Sequence, residues 1–350
     1  YELGSTGEYT QGAGAVATLI KANPRILAID TNWGVGTKAV YDFYKPLRRV
    51  KKADLISEAL HLANRNHVQL DQLVKQLEES GIDAKGILDS NEKELTLHKD
   101  TPIFDGPYSN DCYQARIKQA LQNYKKQIGI DTEEALAGQW DQLIFHLPYA
   151  YQARRMFGEI FWQELKYNGQ AKAFAKAQGL EEPQRSDWDT EEAYAKAQTA
   201  FWRSITKTDK YQLFVRTKIA AGERASSLVG NVYAASIFLS LMSSLEVALE
   251  ENSPDTGAQF GFFAYGSGSK SKVFVGHLQA NWRESVTGFK LFEQLHNRQA
   301  IDYTTYEQLH RQAIAVPIQN DKQSFYQRDI DEQGIRSYHI PNVLIITEAE

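Results

Sequence analysis

The sequence predicts a layered α/β fold, and three observations carry that expectation. Short apolar runs of strand length alternate with longer segments of helical spacing along most of the 350 residues. One helical segment, LVGNVYAASIFLSLMSSLEVALE at 228–250, is apolar nearly all round with small residues interleaved, the composition of a helix held inside a domain. Two strand-like runs, LIFH and FGFFAYGSGS, end in polar residues at the edge where open α/β sheets place their ligands.

In chain order, GAVATLI (14–20) and RILAID (25–30) read as two strands joined by a turn at Asn23 and Pro24. Helical spacing of Leu, Ile and Val marks 54–95 as a surface helical insertion with Gly81 and Gly86 as stops, and a polar stretch follows to Thr101. SNDCYQARIKQALQNYKKQIG (109–129) opens on a Ser/Asn/Asp cap cluster and closes at a glycine, the pattern of a helix. LIFH then leads through His146 and Pro148 into a helix from about Tyr151. Residues 168–212 are rich in Ala, Lys, Gln and Glu, are interrupted by Pro183, and read as a solvated helical hairpin or insertion. Beyond the buried helix, QFGFFAYGSGSKSKVFVGHLQ (259–279) is a strand, a glycine-serine turn and a second strand.

Composition narrows the function classes. With 42% apolar and 11% aromatic residues the chain can bury a large core. Its formal charge of -5 comes without a long block of one sign, so neither nucleic acid nor an anionic membrane surface is an expected partner. Cys112 is the single cysteine, which excludes an internal disulfide, and no Cys/His cluster has zinc spacing. A reducing cytoplasm therefore fits better than a secreted route. No run of about 18 apolar residues and no signal-peptide pattern is found. Tyr1 is not a methionine, and the first residues already lead into a strand, so the chain reads as one entered in mid-domain.

An imidazole at the end of a greasy strand invites a chemical reading. His146 ends one strand, and Tyr265, Gly266, Ser267, Gly268 and Ser269 end another, where glycines let backbone N–H groups approach a bound oxygen. Asn231 falls at the amino end of the buried helix, where polar side chains and free N–H groups are available. Together these residues would set an imidazole, an amide and an oxyanion-binding turn around one acyl group. Each also has a structural reading, as a hydrogen-bonded histidine, a hairpin turn and a helix cap. Cys112, four residues before Arg116 in a helical pattern, reads as a small buried apolar residue. GAGAV lacks the spacing and the Lys-Ser/Thr ending of a phosphate loop.

Seven phrases then occur in one order: GEYTQGAGAVATLIKANPRILAID, AVYDFYKP, IFDGPYSNDCYQARIKQAL, LIFHLPYAYQARRM, LVGNVYAASIFLSLMSSLE, FFAYGSGSKSKVFVG and LHNRQAIDYTTYEQLH. As a set they resemble the hydroxymethylglutaryl-CoA synthase family. The resemblance implies a thiolase-like layered αβαβα fold with an incomplete first half and a complete second half, usually in a homodimer. It sets 1–50 as the end of the first half, 51–100 as a helical insertion, and 101–350 as the second half with a further insertion at about 168–212. The implied enzyme is an acyltransferase of the mevalonate route. It condenses acetyl-CoA with acetoacetyl-CoA through an acyl-cysteine and needs no metal or redox cofactor.

Carried over residue by residue, the resemblance makes His146 the group that polarises the acetoacetyl ketone and protonates the alkoxide. Asn231 would bond the acetoacetyl thioester, the Ser267 N–H in the Gly266 turn would serve the acyl-cysteine oxyanion, and Tyr265 and Pro148 would line the site. Asp42 would support it. Arg155 stands where the family has a lysine on the CoA phosphates. The position five residues after the histidine, another family lysine, is Tyr151, so the phosphate grip would rest on Arg154 and Arg155. The family's nucleophilic cysteine and general-base glutamate would lie upstream of Tyr1, and Cys112 matches a noncatalytic position. Two other readings stay open: a polyketide β-branching homologue that takes carrier-bound acetoacetate, and a noncatalytic acyl-CoA-binding chain.

Overall fold

The computed structural model describes residues 1–5, 7–62, 72, 75, 93–98, 101–314, 326–330 and 335–339. It divides into two compact units, Tyr1–Leu295 and His296–Glu350. The strands of the first are β1 (Leu27–Ile29), β2 (Gly34–Thr37), β3 (Phe43–Tyr44), β4 (Leu47–Lys51), β5 (Glu94–His98), β6 (Ile103–Phe104), β7 (Gln142–Phe145), β8 (Gln259–Gly266) and β9 (Lys270–Leu278). Five of them form the central sheet. β7 runs parallel to β8, β8 antiparallel to β9, and β1 and β2 lie in succession along the far edge of β9.

Period-two alternation makes this sheet the middle of a layered structure. Leu143, Phe145, Phe263, Val273 and Val275 share one buried cluster with Tyr113, Ile117, Ala120, Leu121 and Tyr124 of the long helix Gly106–Gln127. The residues between them, Ile144, Phe262 and Phe274, face the opposite cluster with Leu245 and Ala248 of the helix Ser236–Glu250. Both faces are therefore covered, which is why these strands read as continuous apolar runs. The long helix lies so close to β2 that a Cβ on Gly34 would stand 2.1 Å from the Ala120 carbonyl oxygen. Only glycine permits that approach.

Several sequence expectations are corrected here. Residues 14–20 form no strand: Leu19 and Ile20 are 80% and 90% exposed, and no partner strand is present among the described residues to satisfy their backbone groups. The long helix starts earlier than the Ser/Asn/Asp cluster suggested, because Asp105 is the cap and its Oδ1 accepts the Tyr108 N–H at 3.0 Å. The predicted insertion at 54–95 begins as the helix Lys52–Leu62, and β4 pairs with β5 at its base. The rest of that stretch lies largely outside the described residues. Residues 168–212 are helical as expected, with Ala171–Gln178, Glu191–Ile205 and the start of Asp209–Lys218. They are less solvated than their composition suggested, since Phe174, Phe201, Ile205 and Tyr211 enter the first core cluster.

By length and composition Tyr233–Glu250, with mean hydropathy 1.2, reaches what a membrane-crossing helix needs, although no unbroken apolar run was visible in the sequence. Within the unit it is a core helix, with Leu239, Leu245, Val247 and Ala248 buried. The second unit holds the helix Tyr303–His310, capped by Asp302, and the antiparallel pair β10 (Tyr326–Ile330) and β11 (Arg336–His339).

Candidate active site

Because β7 and β8 are parallel, their carboxyl ends lie at one edge of the sheet. The ladder continues one residue past β7, where the His146 N–H donates to the Phe263 carbonyl at 3.0 Å. From the long helix, the Tyr113 hydroxyl donates to the His146 carbonyl at 2.9 Å. The ring is held separately: its Nδ1 lies 2.6 Å from the Oγ of Ser236, the first residue of the buried helix. Burial pushes the imidazole from its ordinary 6.5 down to about 4, against an upward pull from the Tyr233 backbone. The ring is therefore neutral at pH 7.

That shift has a measurable sign. The unfolded chain binds this proton at higher pH than the folded one, so stability is expected to fall as pH drops from 6.5 toward 4 and to be indifferent to this group above 6.5. Titrated by NMR, His146 is expected to protonate near pH 4. A midpoint near that of a free histidine would contradict the burial.

β8 hands over to a tight turn. Gly268 adopts φ +92°, the left-handed region that glycine enters without strain, and Ser269 follows at φ +126°. Residues 38–40 run alongside, with the Lys38 and Val40 N–H groups donating to the Ser269 and Gly268 carbonyls. That pairing delivers Asp42, wholly buried, beneath the turn. Its Oδ1 accepts the Gly268 N–H at 2.7 Å and its Oδ2 accepts the Tyr265 hydroxyl at 2.5 Å. Burial and the Asp42 bond push the Tyr265 phenol well above its ordinary value, so the hydroxyl keeps its proton as the donor. The Ser267 N–H donates to nothing among the described residues.

Asn231 arrives by a different route from the one expected. Gly230, at φ +93°, ends the helix Ala220–Val229, and Tyr233 at φ 52° interrupts the run again, so the next helix starts only at Ser236. Asn231 is clamped instead by backbone bonds: its N–H donates to the Thr10 carbonyl and its carbonyl accepts the Gly12 N–H. Its Oδ1 accepts the Tyr233 N–H at 2.8 Å, which leaves the Nδ2 amide as the free end.

His146, Pro148, Asn231, Tyr265, Gly266 and Ser267 line one cavity of about 410 Å³, with Asp42 behind its rim. Sequence reasoning missed other members of that wall. Tyr113 and Tyr149 line it, as do Asn110 and Gln152, joined by a 2.9 Å bond from Gln152 Nε2 to Asn110 Oδ1. Only the helical phase of Asn110 and Tyr113, one turn apart on the long helix, could have signalled them.

Arg154 and Arg155, expected to grip a nucleotide, lie outside this lining, as does Tyr151 at the position of the family's other lysine. Arg154 bonds the buried Glu223 carboxylate through Nε at 2.8 Å and through Nη2, and its guanidinium stacks over the Tyr151 ring. Burial pushes the Glu223 carboxyl up while the Arg154 bonds act downward. Arg154 is thus committed to holding the fold, with Tyr151 packed on it. Arg155 is exposed beside the Tyr149 ring and has no ion pair among the described residues. Cys112 is free and buried on the long helix and does not line the cavity.

A sheet covered by helices on both faces hands an imidazole and a glycine turn from parallel strand ends to one cavity, and the fold is thiolase-like. Residues 94–340 match the family model described as hydroxymethylglutaryl-coenzyme A synthase C terminal, and the chain belongs to that family. The hydroxymethylglutaryl-CoA synthase of Haloferax volcanii is 24% identical over 310 residues, covering 89% of this chain and 57% of that protein. The enzyme of the same name from Enterococcus faecalis is 24% identical over 318 residues, covering 91% and 57%. A solved structure of MvaS in complex with 3-hydroxy-3-methylglutaryl coenzyme A shares the fold with a TM-score of 0.63 at 21% identity, covering 98% of this chain and 65% of that one. The chain therefore spans less than two thirds of the length of each of these relatives.

Proposed function

We propose that this chain supplies the acceptor-binding and condensing side of a hydroxymethylglutaryl-CoA synthase, an acyltransferase that joins acetyl-CoA to acetoacetyl-CoA. The observation that carries the reading is the convergence on one cavity of the His146 ring, the free Nδ2 of Asn231 and the unengaged N–H of Ser267. These are hydrogen-bond donors of the kind that carbonyl oxygens need while negative charge develops on them.

In this reading an acetyl group held as a cysteine thioester loses a methyl proton to a general base. The resulting carbanion attacks the ketone carbon of acetoacetyl-CoA, the new carbon–carbon bond forms, and the carbonyl π pair moves onto oxygen. His146 donates to that oxygen as ketone and more strongly as alkoxide, which then takes up a proton equivalent to the one the general base removed from the methyl group. Water finally cleaves the enzyme thioester to release hydroxymethylglutaryl-CoA and the thiol. Asn231 serves the acceptor thioester and the Ser267 N–H the acyl-cysteine, while Asp42 and Tyr265 hold the turn. Arg155 offers its charge to the CoA phosphates. No residue of this chain is assigned as nucleophile or general base. A homodimer in the cytoplasm completes the proposal, and the single buried thiol of Cys112 is compatible with that compartment.

Calorimetric titration with acetoacetyl-CoA tests it. Binding is expected, weakened about tenfold by Asn231→Ala, as the loss of one hydrogen bond implies. Arg155→Glu is expected to weaken CoA and acetoacetyl-CoA alike, with a salt dependence that the parent protein shows and the variant lacks. No binding of either ligand would sink the reading. A marked preference for acetoacetate carried on a protein would transfer it to the β-branching class.

A further inference from the structure

We infer that Ser236 fixes His146 as the tautomer protonated on Nε2, so that the ring meets its ligand as a neutral hydrogen-bond donor. The identity of that ligand rests on the function proposed above; the tautomer does not.

The protons and lone pairs around one hydroxyl decide the tautomer. Ser236 is 0% exposed, so water cannot complete its bonding. Its Oγ accepts the Leu147 N–H at 3.2 Å and lies 2.6 Å from His146 Nδ1. A hydroxyl carries one proton and two acceptor positions. With Leu147 on one acceptor position, two arrangements remain for the contact with the ring. If Nδ1 carried the proton, Ser236 would accept twice and its own proton would need another acceptor. None is present among the described residues. If Ser236 donates to Nδ1, every group is satisfied, and the ring proton must reside on Nε2.

Other neighbours leave this assignment undisturbed. The Tyr113 hydroxyl is spent on the His146 carbonyl, not on the ring. The Tyr265 hydroxyl is spent on Asp42, and its ring centroid stands 6.4 Å from that of the imidazole. A hydrogen bond with the Tyr233 backbone raises the imidazole's proton affinity, but burial outweighs it and the ring stays neutral. Leu147 and His146 are adjacent in sequence, so one serine ties the backbone just after the ring and the ring itself to the start of the buried helix. Ser236 is thus a positioning residue that acts through His146.

The test is NMR of the protein labelled with 15N in its histidine rings, with the His146 signals assigned by their loss in His146→Gln. At neutral pH the expected spectrum has Nε2 in the protonated range and Nδ1 in the unprotonated range. Ser236→Ala, which removes one oxygen and adds no volume, is expected to abolish that preference and give a mixture of tautomers. A ring protonated on Nδ1 in the parent protein would overturn the inference even if the variant failed to fold. So would an unchanged tautomer in a folded Ser236→Ala variant. Because no substrate is present, failure of acetoacetyl-CoA to bind would refute the proposed function and leave this result standing.

Discussion

Under the proposed synthase function, His146→Ala is expected to lower condensation by about 10²–10⁴-fold while acyl-CoA binding changes by no more than about tenfold. The ring is neutral, anchored at Nδ1 and set beside Asn231 on the cavity wall, so its loss removes a donor that the acceptor oxygen needs most as it becomes an alkoxide. The substitution leaves the fold nearly intact. The His146 N–H and carbonyl bonds to Phe263 and Tyr113 are backbone bonds that alanine keeps. Consumption of acetoacetyl-CoA by parent and variant at matched concentration measures the effect. Unchanged consumption would remove the histidine from the chemistry.

Arg154→Met is expected to have the largest effect on stability, about 3–5 kcal/mol near neutral pH. The carboxylate it abandons, Glu223, has a side chain only 2% exposed, and its second oxygen already lacks a partner among the described residues. Without the guanidinium only the backbone bond from residue 154, which methionine keeps, still acts against the burial that pushes the Glu223 carboxyl up. The sign follows from linkage: a carboxyl whose folded value is raised is tolerated at low pH, where it is protonated, and destabilises increasingly as pH rises through that value. The gap between variant and parent in denaturant midpoints is thus expected to widen from pH 5 to pH 8. Pairing Arg154→Met with Glu223→Leu is expected to recover most of the loss, since an apolar pair needs no compensating charge. A loss that is independent of pH would contradict the account of the pair.

Much of this site was legible because the sequence pattern and the sheet obey the same periodicity. The apolar run before His146 is continuous because both faces of β7 are buried, and Gly268 after Tyr265 is where the left-handed turn forms. What was not legible depended on partners distant in sequence. Ser236 is one of several serines in an apolar helix, and nothing local distinguishes it from Ser240, Ser243 or Ser244. Its role exists only because that helix starts beside the end of β7. Arg154 and Arg155 are chemically alike in the sequence, yet a buried glutamate 69 residues away takes one of them out of consideration. The run at 14–20 has the composition of a strand and is not one, since a strand is defined by a neighbour that composition does not report.

The most direct measurement is a crystal structure of the protein with acetoacetyl-CoA bound. The expected density places the acyl chain in the cavity, with its ketone oxygen within hydrogen-bond distance of His146 Nε2, its thioester oxygen on Asn231 Nδ2, and its nucleotide toward Arg155. An acyl chain bound elsewhere, or one in this cavity that touches neither the imidazole nor the amide, would contradict the central claim.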